Sequence, residues 1–412
     1  MGQPSRWWRH LLRLSKVRLA ELSVKRGPLG GNGMYIGIVA GESSGDQLGS
    51  EVIQALRQRW PNARFVGVGG AQMRSAGLEC LYDISEISFV GLDGLARHVF
   101  RILSIRKSLI RHFLRNPPNL FIGIDVPDFN LRLERVLKLA GIKIIHYVAP
   151  TVWAWRGYRI NKIRQAVDVL MVLFPFELEY FTARGVPTVF VGHPIAQALV
   201  PSLDDTDWSN LGIDRRKEIV ALLPGSRPSE IKRLGPLLVK VAQRLNVQRP
   251  QIQFVVPFVN EPMQILFRAQ VKDSLKGLHW VEMVGRAMEM MALANVVVVA
   301  SGTAALEAAI LARPMVVTYK VSWLTFLFIK CVSRLRYVSM PNYLMDEPQV
   351  AEFLQYRATP KAITSEVISL LDNEVKRSSL ETSLQGIRTM LCKDTPQAVG
   401  DIVADLTAGT NG

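Results

Sequence analysis

The sequence predicts an α/β protein made of two parallel-sheet domains. Three observations carry this. Short apolar runs recur with helix-length segments between them, and strands spaced this way pair in parallel through right-handed crossovers. The alternation breaks at residues 201–207, where Pro, Ser and acids replace it, and then restarts. A chain of 412 residues, 49% of them hydrophobic, is also too long for one comfortable core and apolar enough for two.

Residues 1–33 stand apart from this pattern. They hold seven Lys/Arg, one acid (Glu21), and Trp7 and Trp8, and they end in Gly30-Gly31-Asn32-Gly33. No apolar run here is long enough for a signal peptide or a membrane span. Open readings are a basic membrane-surface arm, an organelle transit peptide, or an upstream start before a true Met34, with a flexible arm as the plain one. Tyr35–Ala40 then reads as a buried strand, and the turn Gly41-Glu42-Ser43-Ser44-Gly45-Asp46 opens a helix to about Trp60. Further strands follow at Arg64–Val68, Leu120–Ile124, Lys143–Val148, Val169–Leu173 and Thr188–Val191. After the connection come Ile219–Leu223, Gln253–Pro257, Val296–Ala300 and Met315–Tyr319. Beyond about Asp346 strand character fades and the chain reads as helical to its end. The expected divisions are thus 1–33, 34–200, 208–345 and 346–412.

The net charge of +15 fits nucleic acid, an anionic membrane or phosphorylated substrates, and no nucleic-acid-binding motif is present to favour the first. Cys80, Cys331 and Cys392 are far apart and odd in number, which argues against a disulfide framework and for a reducing compartment. Asp204-Asp205-Thr206-Asp207 resembles a metal cluster, but its place in a connection favours a solvated run.

In parallel sheets ligands sit outside the carboxyl ends of the strands, so residues just after each strand are the functional candidates. Glu218–Arg227 reads as a strand stopped by Pro224-Gly225-Ser226-Arg227, with a helix opening at Pro228. Free N–H groups and the helix dipole at such a turn favour a phosphate, and Arg227 adds a fork for its oxygens. An ordinary turn with a surface Arg is the alternative. Ser301-Gly302-Thr303 after Val296–Ala300 opens a second anion-friendly turn, with Glu307 one turn in to accept from ribose hydroxyls; a small-residue packing turn is its alternative. In the first half, Asp125 follows Leu120–Ile124 and is a candidate general base or a structural carboxylate. Glu42 is a candidate base or sugar ligand, and Asp46 and Asp128 are candidate helix caps. Trp153, Trp155 and Arg156 follow another strand and read as a sugar or acyl lining or as loop packing.

Two stretches carry membrane character. Ala96–Arg115 interleaves Arg97, Arg101, Arg106, Lys107, Arg111 and Arg115 with Val99, Phe100, Ile102, Leu103, Leu109 and Phe113. Val321–Arg336 carries Trp323, Phe326, Phe328, Lys330, Arg334 and Arg336. Both are too short or too charged to span a bilayer and have the composition of interfacial helices. A solvated basic helix packed on the core is the alternative for the first.

The ordered motifs AGESSGD, GIDVPDFN, HYVAPTVWAWR, FPFE, VGHP, LLPGSR, ASGTAALE and SMPN resemble those of the lipid-A-disaccharide synthases, from about Tyr35 to the C-terminal helices. The resemblance implies an inverting, metal-independent glycosyltransferase of lipid A biosynthesis, with two Rossmann-like domains of GT-B type facing across a cleft. It implies a UDP site in the second domain and C-terminal helices that return to the first. UDP-2,3-diacylglucosamine would be the donor and 2,3-diacylglucosamine 1-phosphate the acceptor. No cofactor is implied, and the location would be the cytoplasmic face of the inner membrane, on anionic lipid. By motif position Asp125 matches the candidate base, Glu42, Arg227 and Asn342 match residues required in the cleft, and Glu307 looks like a ribose ligand. A homo-oligomer is left open. A UDP-sugar epimerase of the same architecture and a non-catalytic anionic-lipid or nucleic-acid binder are the rivals. Residues 1–33 depart from the family pattern.

Overall fold

The computed structural model describes residues 33–87, 95–155, 157–197, 208–209, 211–323, 325–327 and 336–408. The basic arm up to residue 32, the acidic run 204–207, Arg156, Cys331 and most of the second basic stretch lie outside the described residues. Two parallel sheets form. The first contains β1 (Tyr35–Ala40), β2 (Arg64–Gly69), β3 (Leu78–Asp83), β4 (Leu120–Ile124), β5 (Lys143–Tyr147), β6 (Val169–Val172) and β7 (Thr188–Phe190), in the spatial order β3-β2-β1-β4-β5-β6-β7. The second contains β8 (Ile219–Leu223), β9 (Gln253–Phe258), β10 (His279–Val284), β11 (Val296–Ala300), β12 (Met315–Tyr319) and β13 (Ala351–Leu354), in the order β10-β9-β8-β11-β12-β13. Each winds outward one way from its first strand and then reverses, so each has a switch point: β1 beside β4, and β8 beside β11. A crevice opens at the carboxyl ends there.

The central strands read clearly because both faces are covered; β4, β8 and β11 are buried at every position. Three strands were not expected: β3, β10 and β13. All three are sheet edges with half-exposed residues. An edge strand pairs on one side only, so its sequence loses the continuous apolar run. β13 also corrects the expectation of helix from Asp346 onward: it adds to β12 in parallel, Val316 beside Ala351 through Tyr319 beside Leu354.

Helix α1 (Ser43–Arg59) follows β1 and short α2 (Ala71–Ser75) follows β2. Asp46 does not cap α1. It is buried, and its carboxylate accepts from the backbone N–H groups of Gly70, Gln72 and Met73, which caps α2 instead. Helices α3 (Leu95–Arg115), α4 (Pro127–Leu139) and α5 (Pro175–Thr182) also belong to the first half. The second half carries α6 (Pro228–Gln248), α7 (Thr303–Ile310) and α8 (Met340–Leu344).

Of the C-terminal helices, α9 (Pro360–Asp372) packs on α6 and stays with the second sheet, and α10 (Glu374–Leu391) packs on α7 and on the turn Pro194–Gln197. Only α11 (Thr395–Ala408) returns fully, lying on α1 with Arg59 2.5 Å from Asp401. Its approach uses the VGHP motif. Thr395 Oγ1 donates to the Val191 carbonyl at 2.9 Å, and the His193 N–H to the Leu391 carbonyl at 3.0 Å. Gly192 is left-handed (φ 83°), and a Cβ there would lie 2.5 Å from Lys393 Cβ, so only glycine admits the returning chain.

Candidate active site

At the first switch point Ala40 pairs with Ile124, which sets Glu42 and Asp125 one or two residues beyond neighbouring strand ends. Asp125 (φ 51°) and Val126 (φ 43°) are both left-handed, and so is Val148 (φ 75°) after β5. Left-handed backbone costs a non-glycine residue about 1–3 kcal/mol and persists where the surroundings impose it, typically at functional sites. Here the surroundings are visible. The Asp125 N–H donates to the Tyr147 carbonyl at 2.9 Å, and Asn130 Nδ2 to the carbonyls of Asp125, Ile124 and Val39 at 2.8, 3.2 and 3.3 Å. Val126 presses on Gly41, where a Cβ would lie 2.4 Å from Val126 Cγ2. The strained turn thus ties the GIDVPDFN motif to AGESSGD. Asp125 and Val148 line a cavity of about 360 Å³ with Pro150, Thr151, Val152 and Arg159. No described residue hydrogen-bonds the Asp125 carboxylate, and Glu42 is exposed. Asp128 is the second residue of α4 rather than its cap, and it pairs with Arg159.

Beneath this turn lies a polar cluster that the motif reading missed. Asn130, Glu134 and His146 are wholly buried, and His146 Nδ1 lies 2.6 Å from Glu134 Oε1. Gly123 makes the room: a Cβ there would fall 1.9 Å from Glu134 Oε1. A signal was present in the sequence, namely a carboxylate among Leu131, Leu133 and Leu137 on α4 and a histidine inside the apolar strand β5.

At the second switch point Val299 pairs with Leu223, so Gly225-Ser226-Arg227 and Ser301-Gly302-Thr303 emerge side by side. Pro228 starts α6 as expected, and the exposed Arg227 precedes it. The expectation of free N–H groups needs correction. The Glu230 carboxylate accepts from Ser226 N–H at 2.9 Å and Arg227 N–H at 3.2 Å, taking the two donors that the turn would have offered to an anion. Gly225 (φ 105°) is required, since a Cβ would sit 2.6 Å from Glu230. Gly302 (φ 150°) faces open space. Glu307 is half-buried, and burial raises its pKa.

Asn342 departs from an open-cleft role. It is buried, and its amide is held by the Val350 backbone at 2.9 and 3.0 Å and by Glu352 at 2.9 Å. Glu352 also takes the N–H groups of Val338 and Ser339, and Ser301 Oγ donates to the Val338 carbonyl. The SMPN segment is thereby fixed against Ser301 and β13.

An aromatic seam joins the halves. Tyr343 packs on Trp153 and Phe176 at centroid distances of 5.3 and 5.9 Å. Glu177, buried here and accepting from Trp153 Nε1 at 3.3 Å, is pushed up to about 7 by burial, and burial lowers His193 to about 4. Trp153 is therefore packed against other rings rather than presented alone.

The basic helix α3 divides. Ile105, Leu109 and Phe113 enter the core, Arg106 is half-buried with its pKa lowered by burial, and Arg101 pairs with Glu86. Only its first half keeps apolar residues outward: Phe100 is 68%, Val99 42% and Leu103 37% exposed. Trp323 is 71% exposed. No helix among the described residues is long and apolar enough to cross a membrane.

The family model described as lipid-A-disaccharide synthetase matches residues 36–401. The chain belongs to the lipid-A-disaccharide synthase family. The Hahella chejuensis lipid-A-disaccharide synthase is 37% identical over 92% of this chain and 96% of its own length, and that of Alkalilimnicola ehrlichii is 41% identical over 92% and 100%. Membership makes the chain a hexosyltransferase of lipid A biosynthesis, with a UDP-sugar and a lipid as substrates, and sets aside the epimerase and the non-catalytic binder. Solved structures share the GT-B fold of this synthase-family member. They include UDP-GlcNAc 2-epimerase from Neisseria meningitidis bound to UDP-GlcNAc (TM-score 0.54, 12% identity, 92% of this chain and 99% of that one). The S. aureus MnaA–UDP co-structure is similar (TM-score 0.58, 13% identity, 92% and 97%). At such identities the likeness is one of fold alone.

Proposed function

We propose that this chain condenses UDP-2,3-diacylglucosamine with 2,3-diacylglucosamine 1-phosphate to give the β-1,6-linked disaccharide 1-phosphate and UDP. The observation that carries the reading is Asp125, a carboxylate held by strained backbone at the switch point of the first sheet. Asp125 takes the proton of the acceptor 6-hydroxyl as that oxygen attacks the donor's anomeric carbon. The bond from that carbon to the diphosphate oxygen breaks on the opposite face, its electron pair leaves with UDP, and configuration inverts. Inversion needs one base and one stabilised leaving group.

Arg227 meets the departing diphosphate with a two-pronged charge, aided by the start of α7 at Ser301-Gly302-Thr303. Glu307 accepts from the ribose, and Glu42 lines the acceptor side. Asn342 acts through the loop it fixes. The outward residues Val99, Phe100 and Leu103, with Lys107, Arg111 and Arg115 on the same helix, support docking on anionic lipid at the cytoplasmic face of the inner membrane. Acyl chains then reach the cleft without crossing water. Incubating the protein with both acylated substrates tests the reading: a β-1,6 disaccharide phosphate with stoichiometric UDP is expected, whereas a donor epimer or no product contradicts it.

A further inference from the structure

Glu134 and His146 have no part in the chemistry above, yet they are buried where a charge is hard to keep. Glu134 lies one helical turn beyond Asn130 on α4, between Leu133 and the end of the apolar face at Leu137. His146 is the fourth residue of β5, flanked by the buried Ile145 and Tyr147. Both side chains are fully buried, 2.6 Å apart, and Gly123 leaves the space that the Glu134 carboxylate occupies. Glu134 Oε2, His146 Nε2 and Asn130 Oδ1 find no hydrogen-bond partner among the described residues. Packing alone does not account for such an arrangement, since a buried ion pair often stabilises a fold no more than apolar residues of the same volume would. Its neighbour is the turn that carries Asp125, held by the same Asn130.

We propose that Glu134 and His146 are positioning residues for Asp125: a buried charge pair whose imidazole end steadies the Asp125 carboxylate as a proton acceptor. The inference rests on Asp125 being the base. Burial opposes a charge on the His146 ring, whereas the Glu134 carboxylate and its hydrogen bond, the charge of Asp125 and the Val148 backbone favour one, and together they raise the ring's pKa above its ordinary value. The charged groups acting on the ring are these two carboxylates, one on α4 and one at the end of β4. The acceptor's proton goes to Asp125 and no further, and the pair supplies a fixed field in a site of low dielectric.

The test is the pH profile of kcat/KM for disaccharide formation by the full chain and by H146Q and E134Q, with folding followed by circular dichroism. Removing the cation, or the carboxylate that sustains it, favours the protonated form of the base. The acidic limb is expected to move to higher pH by about half a unit or more in both variants, with the donor KM unchanged. A purely structural pair would lower the amount of folded protein and leave the limb in place. Limbs that coincide with the wild type in both folded variants overturn the proposal. Should neither variant fold, the ¹⁵N shifts of the His146 ring in the wild-type chain decide: a cationic ring at about pH 7 supports the pair, and a neutral one overturns it. D125N keeps the two claims separate, because full activity there removes the base itself, whatever the limbs do.

Discussion

The two switch points have the same strand order and opposite construction. The first is rigid: consecutive left-handed residues at Asp125-Val126, an asparagine amide spread over three carbonyls, and a buried carboxylate–imidazole pair below. The second is open: glycines at Gly225 and Gly302 where φ is positive, an exposed Arg227, and a turn whose own N–H groups are already held by Glu230. On the proposed reading the first site transfers a proton, a step sensitive to small misplacements, which would account for strain and buried polar groups there. The second site would meet a diphosphate, which needs approachable charge, and glycine with arginine offers it at little strain.

The sharpest way to break this contrast is at Asp125. D125N should lose roughly 10²–10⁴-fold in kcat, with the melting temperature and donor binding kept. Retained turnover would mean that the rigid half is rigid for another reason. At the open half, R227A should cost roughly 100-fold in kcat/KM for the UDP-sugar through lost diphosphate stabilisation. Because the side chain is exposed, its thermal melt should match the wild type; a large loss of stability would show that the turn is not as open as described. The strain itself is probed by G41A, whose methyl meets Val126 and shifts the Asp125 turn. We expect kcat to drop about 10-fold with the donor KM unchanged, since small misplacements at the reacting centre act on rate. An equal rise in donor KM would show that the two halves are not separable.

The smallest effect belongs to the seam between them. Glu177 titrates at about 7 in the fold against 4.5 for its ordinary value, so the folded chain holds this proton more tightly than the unfolded one. The associated stability is full below about 4.5 and is lost as pH rises through 7. Wild-type melting temperature should therefore fall between pH 5 and 8 more than that of E177Q, which cannot titrate there. Parallel curves would remove Glu177 from the seam's pH response.

How much was legible follows from what local sequence encodes. Fully buried strands declare themselves, so β1, β4, β8, β11 and β12 and the candidate residues after them were readable from apolar runs and from Pro224-Gly225-Ser226-Arg227 alone. Edge strands β3, β10 and β13 were not, because their half-exposed residues form no run; the edge strand β7 was readable because Val189, Phe190 and Val191 still make one. Pairings between distant segments were also hidden. Nothing near Asp46 announces that it caps the helix at Ala71, nothing near Asn342 announces Val350 and Glu352, and Glu134 meets His146 only once α4 packs on β5. Glu230 was the one local relation available, four residues after Ser226, and the capping pattern it completes explains why the turn's donors are taken. In α3 the basic–apolar alternation was visible, but which half faces inward is decided by packing against β4 and its neighbours.

The central claim joins a base on the rigid side to a diphosphate on the open side. A crystal structure of the full chain with UDP tests it most directly. The account predicts the diphosphate against Arg227 and the Ser301-Gly302-Thr303 turn, with the Asp125 carboxylate lining the gap in front of it. A nucleotide seated elsewhere, or Asp125 shut away from that gap, would contradict it.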